Sequence, residues 1–61
     1  MKPTVELIGQ DGNIFNLIGI ATRALRRERL NKEAQELQSR VFASKSYDNA
    51  LAIIMEYVEV D

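Results

Sequence analysis

The two side chains that most often act as bases or nucleophiles near neutral pH are both absent: the chain has no histidine and no cysteine. Their absence also excludes a disulfide, a thiolate metal site and zinc held by its usual ligands. Ser44-Lys45-Ser46 places two hydroxyls beside an amine, a grouping that suggests a serine–lysine pair. Neighbours in sequence point in different directions, however, and Ser46 is better placed to cap a helix. The carboxylates are scattered singly and form no readable acid–base pair. A pocket of about 300 Å³ or more is also hard to carve from so short a chain without losing its core. The expectation is a protein that is not an enzyme and takes no cofactor and no metal.

Gly9-Gln10-Asp11-Gly12-Asn13 invites a phosphate-loop reading, since it precedes a helix N-terminus that attracts anions. It lacks the Lys-Ser/Thr ending of a P-loop and the three-glycine dinucleotide pattern, and Asp11 would repel a phosphate. As a calcium loop it has no Gly at the sixth position and no Glu at the twelfth. A structural turn is the better reading.

One charged feature supports a functional hypothesis. Residues 23–32 hold Arg23, Arg26, Arg27, Arg29 and Lys32 against a single acid, Glu28, whereas residues 48–61 hold Asp48, Glu56, Glu59 and Asp61 with no base. Arginines gathered at one helix end suit phosphates and would make binding fall steeply with salt. A helix-turn-helix with Lys32, Gln35, Gln38, Ser39 and Arg40 facing a groove is compatible with three helices. Against this, Glu33 and Glu36 would sit near the nucleic acid, the net charge is −1, and no aromatic within the basic run can stack on a base. The bland alternative is a solvated helix end favoured by the dipole, or a surface neutralised by the acidic C-terminal segment.

The elements that position these groups follow from size and periodicity. Sixty-one residues make one domain, 1–61, that buries only about 60% of its unfolded surface. Such a scaffold needs very good packing or a partner subunit, so a homodimer is expected. Apolar content of 46% is ordinary for a folded chain, and three Gly with one Pro are too few for disorder. Thr4–Ile8 reads as a short strand. Asn13 caps a first helix from Ile14 to Arg27 or Glu28, with an apolar stripe of Ile14, Leu17, Ile18, Ala21 and Leu25, widened by Phe15 and Ala24. Gly19 inside it costs about 1 kcal/mol relative to Ala, which predicts close approach of another backbone. Asn31 is the expected cap of a second helix, about Lys32 to Ala43, with Ala34, Leu37 and Val41 inward, Phe42 beside them, and Glu36–Arg40 as an i,i+4 pair. Ser46 caps a third helix starting at Tyr47, with Ala50, Leu51 and Ile54 at helical spacing. Its end either continues to Tyr57 or Val58 or turns into a strand, because Val58 and Val60 alternate about Glu59. The N-terminal strand pairs either with that segment or with a second chain. The fold class is mostly α with a small β component: an N-terminal strand, three helices, and a short C-terminal strand as the open element. Phe15, Phe42, Tyr47 and Tyr57 are expected in core and rim packing.

The strand with Gly9-x-Asp11-Gly12-Asn13, then Arg23-Ala24-Leu25-Arg26-Arg27, Ser46-Tyr47-Asp48 and the terminal Tyr57-Val58-Glu59-Val60 together resemble a group of small uncharacterised bacterial proteins. Those are often carried on phages, plasmids and other mobile elements. The resemblance implies one compact domain in a bacterial interior and, because the group has no established activity, carries over no functional residue. No signal peptide is visible, and the apolar run Ala50–Met55 is far shorter than the roughly 20 residues of a spanning helix. The first helix needs its apolar face for the core, so membrane binding is not expected and the cytoplasm is. Two functional readings follow. The first is a small interaction or adaptor protein that acts as a homodimer on an unidentified protein partner. The second is a nucleic-acid-binding accessory protein using Arg23, Arg26, Arg27 and Arg29.

Overall fold

A computed structural model describes residues 2–61. The order is β1 (Thr4–Val5), α1 (Ile14–Arg27), α2 (Asn31–Phe42), α3 (Tyr47–Tyr57) and β2 (Glu59–Val60). The mostly helical class with a small β component is what periodicity and turn chemistry dictate.

Polar side chains fix the entrance to α1. Asn13 Oδ1 accepts from the Phe15 N–H at 2.8 Å, and Asp11 Oδ1 accepts from the Asn13 N–H at 3.0 Å. Both satisfy N–H groups that have no partner inside the helix. Gly9 takes a φ of 87° in the preceding turn, a conformation that favours glycine. Leu17, Ile18, Ala21, Ala24 and Leu25 are then buried as the stripe requires. Thr22 is buried with them, and its hydroxyl donates to the Ile18 carbonyl at 2.9 Å.

α1 stops in a Schellman turn. The Leu30 N–H donates to the Leu25 carbonyl at 2.8 Å and the Arg29 N–H to the Arg26 carbonyl at 2.9 Å, with Arg29 at a φ of 63°. This turn displaces the expected Asn31 cap. The same Leu30 that closes α1 also opens α2 through its carbonyl, which accepts from Ala34 N–H at 3.0 Å, so Asn31 is already helical. No side chain caps α2. At α3 the expected cap is present: Ser46 Oγ accepts from the Asn49 N–H at 3.1 Å.

The chain end becomes a strand, and it pairs within the chain. β1 and β2 run parallel, with Thr4 opposite Glu59 and Val5 opposite Val60. Glu59 N–H donates to the Pro3 carbonyl and Asp61 N–H to the Val5 carbonyl, both at 2.8 Å. Parallel partners need a long crossover, and here the three helices supply it. The strand expected over Thr4–Ile8 is shorter, because β2 offers only two residues to pair with; the chain turns at Leu7, whose carbonyl accepts from Gln10 N–H, and leaves Ile8 exposed.

The core lies where the three helices meet, around Ala21, Ala34, Leu37 and Ile54, none of which touches solvent. Val5 from β1 and Val58, at the end of α3 just before β2, complete it. Gly19 does not behave as expected. Among the described residues no backbone outside its own helix comes close, and a Cβ there would meet only Arg23 Nη1, at 3.4 Å.

Candidate interaction surface

The Cα trace spans 28 × 25 × 16 Å. The three helices pack pairwise about one centre, so each keeps an outward face. Aliphatic residues fill the centre, and three of the four aromatics are left outside. Phe15 is 67% exposed, Phe42 65% and Tyr47 47%. The expectation that the aromatics belong to core and rim packing is thus corrected for these three; only Tyr57 is partly buried. Each exposed ring sits just beside an inward-facing residue: Phe15 follows Ile14, Phe42 follows Val41, and Tyr47 opens α3 before Ala50. Helical phase at those positions puts a side chain at the stripe's edge, where the neighbouring elements leave it uncovered.

The three aromatics border one open groove of about 370 Å³, floored by Ile14, Ile18, Val41 and Ala50. The Phe15 and Phe42 rings lie 6.2 Å apart, tilted by 41°, which joins α1 to the end of α2. The Tyr47 hydroxyl donates to the Gly12 carbonyl and so ties the start of α3 to the turn before α1. Lys45 is the one charged side chain in the lining. Both hydroxyls of Ser44-Lys45-Ser46 serve helix ends: Ser44 Oγ donates to the Val41 carbonyl, and Ser46 Oγ caps α3. The groove therefore presents mainly apolar surface and ring faces, with the Lys45 amine in its lining.

The basic residues gather at the opposite end of α1. Arg23, Arg26, Arg27, Arg29 and Lys32 are all exposed. Among the described residues the one ion pair is Arg40–Glu56, so none of these five is paired with a carboxylate. The acidic C-terminal segment does not neutralise them by contact. The proposed groove-facing set on α2 is not intact, since Arg40 is engaged elsewhere.

Arg40 replaces the expected Glu36–Arg40 pair with a longer-range network. Its Nη1 and Nη2 donate to the two carboxylate oxygens of Glu56 at 2.7 and 3.1 Å, and Nη1 also reaches the Tyr57 hydroxyl at 3.1 Å. That hydroxyl donates to Glu36, and the guanidinium lies 5.6 Å from the Tyr57 ring centre. A bidentate fork on a carboxylate is geometrically better than an i,i+4 contact along one helix. The hydrogen bonds to Glu56 and Tyr57 raise the Arg40 pKa further above its ordinary range, and the hydrogen bond from Arg40 holds the Glu56 carboxyl below its own. Burial, followed by the bond to Glu36, raises that of Tyr57. The network joins α2 to the end of α3 and uses all its groups in doing so.

Among the described residues no three acidic side chains cluster to hold a metal, and no helix is long and apolar enough to cross a membrane. No protein family, curated protein or solved structure matches the chain.

Proposed function

We propose that this protein is a small non-catalytic interaction protein that acts as a homodimer and engages a further protein partner. The observation that carries the reading is the exposure of Phe15, Phe42 and Tyr47 around one apolar groove. Contiguous exposed apolar surface of this kind marks association sites on soluble chains. The strand no longer supports dimerisation, because β1 finds its partner within the chain; the aromatic face takes over that role. The setting implied by the resemblance is the cytoplasm of a bacterium. Light scattering across concentration tests the homodimer: a dimer at micromolar concentration is expected, and a monomer throughout would remove it.

A second reading has an observation of its own, the five unpaired basic side chains at the end of α1. In it, Arg23, Arg26, Arg27 and Arg29 meet phosphates. Titration against duplex and single-stranded DNA at two salt concentrations tests it, and unchanged binding in a combined Arg26→Ala, Arg27→Ala variant would end it.

A further inference from the structure

The outer face of α1 carries a sequence of side chains that is complementary to its own reverse. At steps of four residues it reads Asp11, Phe15, Gly19, Arg23, Arg27. Residues so spaced form one continuous ridge on a helix surface. Asp11 precedes the helix but is held against it: its carboxylate accepts from Asn13 N–H, and its carbonyl accepts from Asn16 Nδ2 at 2.8 Å. Phe15, Arg23 and Arg27 are exposed. The ridge thus runs from an acid through an aromatic ring and a gap to two cations. Nothing among the described residues accounts for the gap. A glycine within a helix costs about 1 kcal/mol relative to alanine, and the space above Gly19 holds only the end of the Arg23 side chain.

We propose that α1 packs antiparallel against α1 of a second copy, with the two-fold axis passing at Gly19. Reversal about that point places Asp11 of one copy beside Arg27 of the other, and Phe15 beside Arg23, each twice. Arg23, which folds back over Gly19 in the single chain, stacks instead on the ring of the opposing Phe15, a favourable cation–π contact. The missing side chain lets the two backbones approach. Charge selects the antiparallel arrangement, since a parallel pair would set arginines against arginines. The contact uses the same patch on both copies and closes on itself, which limits assembly to two. Phe42, beside Phe15, is covered at the edge of the same contact. This inference rests on the homodimer reading and specifies its interface.

Cross-linking tests it directly, because the chain has no cysteine of its own. Under mild oxidation Gly19→Cys is expected to give a disulfide-linked dimer, the two Cα atoms lying within the roughly 4.4–6.8 Å a disulfide spans. Gln35→Cys, on the exposed face of α2, should give almost none. Gly19→Ala separates fold from interface: it should raise the melting temperature of the dilute single chain and weaken dimerisation about tenfold, a difference of about 1.4 kcal/mol. Arg23→Glu should also weaken it about tenfold. A wild-type dimer without the Gly19→Cys cross-link overturns this interface and leaves the homodimer standing. A chain monomeric at all concentrations overturns both, and one that is monomeric yet binds duplex DNA through Arg23 and Arg27 assigns this face to phosphates.

Discussion

The two flanks of α2 place similar residue types on the surface and treat them in opposite ways. On the flank facing the end of α3, a ring, a guanidinium and two carboxylates satisfy one another: Glu36, Tyr57, Arg40 and Glu56 form one connected set. On the other flank, Phe15 and Phe42 face each other but stay about two-thirds exposed, and the arginines beyond them pair with no carboxylate among the described residues. The difference lies in whether the chain supplies the partner. Where it does, exposed polar and aromatic groups stabilise the monomer; where it does not, they remain available to another molecule.

That contrast can be broken by mutation. The largest effect is expected from Tyr57→Ala, which removes a partly buried ring and leaves Arg40 and Glu36 without their shared partner; urea unfolding should show a loss of about 2 kcal/mol. An effect smaller than that of Phe42→Ser would show that the two flanks do not differ. Next comes the turn after α1. Arg29 sits at a φ of 63°, where a side chain is strained and glycine is not, so Arg29→Gly should stabilise the chain by about 1 kcal/mol. Phe42→Ser should change the stability of the dilute monomer by less than about 0.5 kcal/mol while lowering its tendency to associate in light scattering. The smallest effect is expected from Glu56→Gln and appears mainly on acidification. Arg40 holds the Glu56 carboxyl below its ordinary value of 4.5 in the folded chain. The contribution is therefore present above that value and lost as pH falls through the lower folded one. Thermal melts at pH 7 and pH 3 should show a larger acid-induced drop for the wild type than for the variant.

The helices were readable because their signals are local. The stripe of α1, the Asn13 and Ser46 caps and the Gly9 turn depend on residues only a few positions apart. What escaped depends on neighbours brought by the fold. Asn31 is a good cap residue, but the turn at Arg29 uses Leu30 to end one helix and start the next. Glu36 and Arg40 have helical spacing, yet Glu56 offers both carboxylate oxygens to the same guanidinium. For Phe15 and Phe42 the sequence sets the direction around the helix; whether anything covers that direction depends on where the other elements pack, and none covers these two rings. The partner of β1 stayed open for the same reason, since local pattern does not choose between a distant segment and another chain. Of the surface now singled out, the basic end was visible as composition, whereas the aromatic groove was not.

The parallel ladder between Thr4–Val5 and Glu59–Val60 also bears on how the chain reaches this state. Its closure spans nearly the whole polypeptide for a few backbone bonds, a heavy entropic demand compared with turns made inside one helix. The helical bundle should therefore assemble first, and the ladder should zip last and open most readily. In hydrogen exchange the amides of Glu59 and Asp61 should lose their protons well before those of Leu25 and Leu37, so that the two tails separate reversibly while the centre stays closed.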